Sequence, residues 1–160
     1  MDRIALQILE DGWREDARIL AAAAATMRDR LAEASAGRHA AAAFEINRTY
    51  NILEKAFERL CETFENHLDK SGRYHEQLIE RVCLELRGIR PAFVPRGAIR
   101  AIRELKGFRH LFRHAYDLEL DPRRVEEAAD NASWCVAAFP DWCGDFVGRV
   151  RELYRGELDG

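Results

Sequence analysis

The eight residues 109–116 concentrate side chains that can act together on a phosphodiester. They include two arginines, Arg109 and Arg113, and two histidines, His110 and His114, followed by a tyrosine. The guanidinium group of arginine is permanently charged, and its N–H donors match phosphate oxygens. Histidine exchanges protons near neutral pH. Because metal-free cleavage of a phosphodiester needs both functions, this segment is a candidate active site.

Basic charge is concentrated around the same segment. The 160-residue chain has a net charge of −3, which argues against general binding to polyanions. Residues 96–116 hold six lysines and arginines against one acid, Glu104, so this segment carries +5 and the remaining chain −8. A local basic surface on an acidic chain suits an anionic ligand at one place. The phosphate groups of such a ligand are expected to contact Arg103, Lys106, His110 and Arg113.

The elements that must position these residues are helices. Hydrophobic residues recur at helical spacing along nearly the whole chain, and no strand pattern competes. This periodicity predicts helices over residues 3–35, 38–67, 74–86, 96–117, 122–139 and 141–158. Two prolines make residues 88–95 a connector, and Pro140 is expected to break or kink the last long helix. The chain is therefore predicted to be an all-α bundle of four to five helices, in one domain over residues 1–160.

A helical wheel indicates how the helix over residues 96–117 presents its basic side chains. At about 100° per residue, Arg109 flanks the core face, and His114 lies about 140° from it around the axis. In an ideal helix, the basic side chains of this segment are thus spread over a surface that faces away from the core. Two ways to bring them together remain open: the helix ends or loosens near His114, or a second copy completes the site in a symmetric dimer. The core face itself is predicted to comprise Ala101, Leu105, Phe108, Phe112 and Ala115.

The four cysteines and the composition of the chain limit the remaining function classes. The cysteines show no metal-ligand spacing and lie in apolar-periodic stretches, so they are expected to be reduced and buried. No metal site, cofactor or membrane partner is predicted. The N-terminus lacks the pattern of a secretory signal, and no apolar stretch is long enough to span a bilayer. The expected location is therefore the cytoplasm.

The spacing Arg-x4-His-x-Tyr, formed by Arg109, His114 and Tyr116, resembles the signature of HEPN-domain ribonucleases. The surrounding residues 105–122 are similar to the core of HepT-like toxins within that superfamily. Two upstream blocks are also similar to this family and begin at Tyr74-His75 and at Ile89-Arg90. The first block commonly reads Trp-His, so Tyr74 is a departure. The resemblance covers roughly residues 44–130.

The resemblance implies an all-α HEPN fold, a homodimer with the active cleft at its interface, and metal-independent endoribonuclease activity. It also implies a toxin role beside a minimal nucleotidyltransferase antitoxin that can adenylylate Tyr116. Carried onto this chain, the catalytic residues are Arg109, His114 and Tyr116, with His110 as the polar residue after the arginine. The substrate is then RNA (mRNA or tRNA) and not DNA, because the 2′-OH is the nucleophile. Cleavage leaves a 2′,3′-cyclic phosphate.

Two other interpretations account for the same residues. A non-catalytic HEPN module can use the same basic face to bind a nucleotidyltransferase partner, although such a module has no need of the complete Arg, His and Tyr set. The second alternative is a helical bundle whose basic face is simply solvated. It accounts for the motif because the Arg-x4-His spacing occurs in many chains by chance. On that interpretation Tyr116 is a core tyrosine whose hydroxyl reaches the surface.

Overall fold

The computed structural model of this chain describes residues 2–65, 72–114 and 120–158. They form helices α1 (Arg3–Ala32), α2 (Arg38–Glu65), α3 (Tyr74–Val82), α4 (Ile99–His114), α5 (Pro122–Leu153) and α6 (Arg155–Leu158), with a 3-10 turn at Arg96–Ala98. Within these ranges no β-strand forms. The predicted all-α bundle of four to five helices is confirmed, with the four-residue α6 as an addition.

An aromatic cluster forms the centre of the core. Phe93 lies in the connector between α3 and α4, and its ring stacks on Trp13 of α1 with a centroid distance of 4.5 Å. Phe57 of α2 and Phe139 of α5 approach the same ring edge-on, each at 6.1 Å, and Phe146 of α5 does so at 5.6 Å. Edge-on and stacked pairs at these distances are favourable arrangements of aromatic rings. A connector residue thus joins three helices of the bundle.

Arg90 anchors this connector to the end of α2. Its side chain is completely buried, and its Nε and Nη2 donate to the same carboxylate oxygen of Glu65 at 3.0 and 2.5 Å. The guanidinium also donates to the backbone carbonyls of Leu84 and Arg81 at 2.8 and 3.0 Å. Gly88 makes the intervening turn with φ of 72°, a conformation in which glycine carries no steric penalty. These bonds determine where α4 begins relative to α2.

Several helix boundaries differ from the sequence predictions. Helix α1 ends at Ala32 and not at residue 35, and α4 begins at Ile99, after the 3-10 turn. Helix α3 ends at Val82 and not at residue 86, because the Val82 carbonyl accepts hydrogen bonds from the backbone N–H groups of Phe93 and Val94. Helix α5 continues through Pro140 without a break. Proline in a helix interior costs about 3 kcal/mol, and burial of the neighbouring Phe139 and of Trp142 offsets that cost.

The buried face of α4 also differs in part from the face that the helical wheel predicts. Leu105 and Phe108 are buried as expected, but the third buried residue is Ile102, which the helical wheel had left outside the core face. Ala101 and Phe112 are only partly buried, and Ala115 lies outside the described residues. The reason is that α4 packs against both α2 and α5, so two sides of the helix are covered.

All four cysteines are free thiols. Cys61, Cys83 and Cys135 are buried as predicted, whereas Cys143 is only partly buried. Burial raises the pKa of the thiols of Cys61, Cys135 and Cys143 to about 12 and that of Cys83 to about 11. The thiols are therefore protonated at neutral pH. Among the helices described, none is both long and apolar enough to cross a membrane.

Replacing Arg90 with leucine tests the anchor. Among the described residues, the variant leaves Glu65, whose side chain is 6% exposed, with Arg81 as its remaining charged partner. We expect the free energy of unfolding to fall by about 3–5 kcal/mol, the cost of removing one partner of a buried ion pair. Urea denaturation measures this change. The matched control Arg81→Leu, at a half-exposed partner of the same carboxylate, should cost about 1 kcal/mol or less. Equal losses in the two variants would contradict the anchor role.

Candidate active site

Arg109 faces α2 and is held there by three side chains. Its Nε donates to Oδ1 of Asn51 at 2.9 Å, and its Nη2 lies 3.8 Å from Oε2 of Glu54. The guanidinium carbon lies 5.7 Å from the centre of the Tyr50 ring, within the range of a cation–π contact. The Arg109 side chain is only 16% exposed. The arginine expected to bind phosphate is therefore a positioned cation and not a solvated one.

Glu54 joins this arginine to a histidine. Its side chain is 11% exposed, and its Oε1 accepts a hydrogen bond from Nδ1 of His75 on α3 while Oε2 faces Arg109. Burial, reinforced by the Glu54 carboxylate, raises the pKa of the Tyr50 hydroxyl far above its usual value. Tyr50 is consequently a neutral phenol beside the ion pair. Asn51, Glu54, His75 and Arg109, together with Tyr50, form what we call the Glu54 cluster.

A second acidic group binds the two basic residues that precede Arg109 on α4. Both Arg103 and Lys106 form ion pairs with the carboxylate of Glu76 on α3, and Arg103 also lies 3.6 Å from Glu80. Hydrogen bonds, first from Lys106 and then from Arg103, lower the pKa of Glu76 below its usual 4.5. Phosphate binding by Arg103 and Lys106 stays a prediction, and the structure places a carboxylate between them.

His110, Arg113 and His114 form an exposed group on the last turns of α4. The Nδ1 of His114 donates to the backbone carbonyl of His110 at 2.8 Å, and the two imidazole rings lie 4.4 Å apart. A histidine that donates through Nδ1 to a neutral carbonyl carries a free lone pair on Nε2. The predicted proton-transfer residue is therefore accessible, with its Nε2 available to a ligand.

The structure does not bring Arg109 and His114 into contact within one chain. Arg109 is directed towards α2, whereas His114 lies on the exposed side of the same helix. Helix α4 is regular up to His114, and the predicted loosening of the helix beyond that residue falls on 115–119, outside the described residues. Tyr116, the predicted third catalytic residue and modification site, lies outside the described residues.

Sequence reasoning missed most of the Glu54 cluster. Asn51 is separated from Arg109 by 58 positions, and neither Asn51 nor Glu54 belongs to a recognisable motif. His75 falls in a block that is similar to the family, and that resemblance assigns it no role. The available signal was a buried-face position on α2 occupied by a glutamate, since buried carboxylates are nearly always paired. In the part of the chain described, no three His, Cys, Asp or Glu side chains converge as metal ligands.

The fold and these contacts define an all-α, HEPN-type bundle with an arginine and histidine centre on α4. A family model described as "HepT-like protein" matches residues 41–150, which is more than two thirds of the chain. The chain therefore belongs to the HepT-like protein family. The match runs from the start of α2 into the last turns of α5, beyond the 44–130 inferred from sequence, and includes every residue of the Glu54 cluster. No curated protein and no solved structure matches the chain.

The lowered pKa of Glu76 gives the fold a defined dependence on pH. A carboxyl with a lower pKa in the folded chain contributes its full stabilisation above the unfolded value, here 4.5, and loses it as the pH falls through the folded value. Between about pH 6 and about pH 3, we expect the free energy of unfolding to fall less in Glu76→Gln than in the wild-type chain. Urea denaturation at each pH measures this difference, and parallel curves would contradict it.

Proposed function

We propose that this chain is a metal-independent endoribonuclease and the toxin of a HEPN/minimal nucleotidyltransferase toxin–antitoxin pair. The observation that carries the proposal is the placement of Arg109, which is largely buried, oriented by Asn51 and Glu54, and five residues before the exposed His114. Membership of the HepT-like family supports the toxin role. A fixed guanidinium followed by an accessible imidazole is what metal-free phosphodiester cleavage requires.

Arg109 binds the scissile phosphate in this mechanism. Its Nη1 makes no hydrogen bond to any of the described side chains, so it is available for a phosphate oxygen while Nε remains on Asn51. Negative charge on the non-bridging oxygens grows in the transition state, and a donor that is already oriented stabilises that charge without reorganisation. Tyr50 shields one side of the guanidinium, which strengthens its interaction with an anion.

His114 transfers the proton of the 2′-OH. Its Nε2 takes that proton as the 2′-oxygen attacks phosphorus, and the bond from phosphorus to the 5′-oxygen breaks. The 5′-oxygen leaves with a proton from a second acid, giving a 2′,3′-cyclic phosphate and a 5′-hydroxyl. The nucleophile belongs to the ribose, so DNA is not a substrate. General base catalysis of this kind contributes about 10²–10⁴ in rate.

A homodimer supports this mechanism because Arg109 and His114 do not touch within one chain. A two-fold axis beside α4 places the exposed face of one copy against that of its partner. His110 and Arg113 then contact the phosphates that flank the scissile one. The RNA substrate, an mRNA or a tRNA, lies along the interface between the two copies. Glu76 already balances Arg103 and Lys106, so these residues contribute less to phosphate binding.

The antitoxin partner acts through Tyr116 in this proposal. Adenylylation by a minimal nucleotidyltransferase adds a bulky, negatively charged group two residues after His114. Such a group competes with the RNA backbone by volume and by like charge. The cytoplasm is the compartment where this pair and its RNA substrate meet.

A non-catalytic module that binds a nucleotidyltransferase partner is the second candidate. The observation in its favour is that Arg103, Lys106 and Arg109 all contact carboxylates, which reduces the charge that the face offers to RNA. The second candidate, unlike the first, needs no accessible proton-transfer group.

Incubation of the purified chain with total RNA in EDTA separates the candidates. We expect the wild-type chain to cleave RNA, and His114→Ala to lose about 10²–10⁴ in rate because it lacks the proton acceptor. Arg109→Lys, which keeps the charge on Glu54 but not the paired N–H donors, should lose about 10²–10³. Products are read by mass spectrometry for a cyclic phosphate.

The control for these variants is Arg18→Ala, which removes an exposed arginine on α1 that pairs with Glu15 of the same helix. It should cleave at the wild-type rate. Cleavage retained in His114→Ala would remove that residue from the mechanism. If a folded wild-type chain, shown by mass to carry no AMP, leaves RNA intact, the binding-module candidate replaces the ribonuclease.

A further inference from the structure

His75 and Glu54 form a carboxylate–histidine pair beside the phosphate-binding arginine. The Nδ1 of His75 donates to Oε1 of Glu54, and the other oxygen of the same carboxylate lies 3.8 Å from Nη2 of Arg109. One nearly buried carboxylate therefore orients both an imidazole and a guanidinium. The imidazole and the guanidinium come from α3 and α4 of the same chain, so this arrangement needs no second copy.

The free nitrogen of His75 is positioned for chemistry. The carboxylate occupies Nδ1, which leaves Nε2 without a hydrogen-bond partner among the residues described. The side chain is 44% exposed, so Nε2 is accessible to a ligand. In hydrolytic enzymes a carboxylate on Nδ1 holds the imidazole in one orientation and stabilises its protonated form. His114 differs, because its Nδ1 donates to a neutral carbonyl.

Cleavage by attack of the 2′-OH on phosphorus requires two proton transfers, and His114 accounts for the first of them. We propose that His75 is the general acid of the reaction and that Glu54 positions it, an inference that rests on the proposed ribonuclease activity. The hydrogen-bond partner of each histidine suits the proton transfer assigned to it. The Glu54 carboxylate faces the histidine that donates a proton in this step, whereas a backbone carbonyl faces His114, which accepts one.

The proposed step balances in atoms and charge. His114 Nε2 accepts the proton of the 2′-OH, the bond from the 2′-oxygen to phosphorus forms, and the bond from phosphorus to the 5′-oxygen breaks. Protonated His75 donates its Nε2 proton to the departing 5′-oxygen. The products are a 2′,3′-cyclic phosphate and a 5′-hydroxyl, with His114 protonated and His75 neutral. Proton exchange with water restores both histidines.

An RNA with a single bridging sulfur tests this role. The cleavage site is first mapped in total RNA, and an oligoribonucleotide of that sequence is made with either oxygen or sulfur at the bridging 5′ position. A thiolate leaves without protonation, so the sulfur substrate needs no general acid. We expect His75→Gln to cleave the oxygen substrate about 10²–10⁴ more slowly than the wild-type chain. The same variant should cleave the sulfur substrate at nearly the wild-type rate.

His39→Gln is the matched control. His39 and Glu126 also form an interhelical histidine–carboxylate pair, with 3.3 Å between Nε2 and Oε1. His39 lies 15 residues before Glu54 on the same helix, a distance of about 22 Å along the axis. Its substitution should alter neither rate. His114→Gln should slow both substrates, because the general base is needed for each. Glu54→Gln should behave as a weaker form of His75→Gln, with the sulfur substrate again restoring the rate.

The outcomes separate this inference from the proposed function. If the wild-type chain cleaves RNA and His75→Gln cleaves the oxygen substrate equally fast, the ribonuclease stands and the role of His75 is wrong. Equal slowing of both substrates by His75→Gln means that the pair only maintains structure, and it also overturns the general acid. If the folded, unmodified wild-type chain cleaves no RNA, the proposed function fails and this role fails with it.

Discussion

Glu54, whose side chain is 11% exposed, connects three helices of the bundle through ion pairs and hydrogen bonds. Its carboxylate meets His75 from α3 and Arg109 from α4. Removing a carboxylate from water costs several kcal/mol, and close partners with good geometry must offset that cost. A chain that packed α4 in another register would leave this charge unpaired. The interaction therefore selects one arrangement of α2, α3 and α4, and that arrangement positions the candidate site.

A second buried carboxylate on α2 acts on the connector that leads into α4. Glu65 binds Arg90, and the bonded turn around Gly88 lets Phe93 enter the aromatic cluster at the centre of the core. The two contacts lie 11 residues apart on α2, about three helical turns. The contact between Glu65 and Arg90 determines where the connector returns to the bundle. The contact between Glu54 and Arg109 determines which side of α4 faces α2. Stability and the geometry of the site thus depend on the same helix.

Some of the basic residues of α4 form ion pairs within the chain, and others are exposed to solvent. Arg103, Lys106 and Arg109 in the middle of the helix are balanced by Glu76 and Glu54. His110, Arg113 and His114 remain exposed on its last turns. A basic segment with +5 in sequence therefore offers much less unpaired charge in the folded chain. This division suits recognition of one phosphate at a defined position better than binding along a polyanion. It is also compatible with the proposed action of an acidic chain on RNA.

Much of this molecule follows from the sequence alone, because helical periodicity and short motifs are local properties. The all-α bundle, the positions of most helices and membership of the HepT-like family were predicted from spacing and resemblance. The Arg109 and His114 pair was selected by residue type and spacing. Only the tertiary structure decided that Arg109 is largely buried and bound to Asn51. It also decided that α3 ends at Val82 and that α5 passes through Pro140. These features depend on contacts between residues far apart in the chain, whose free energies outweigh local preferences and leave no local pattern in the sequence.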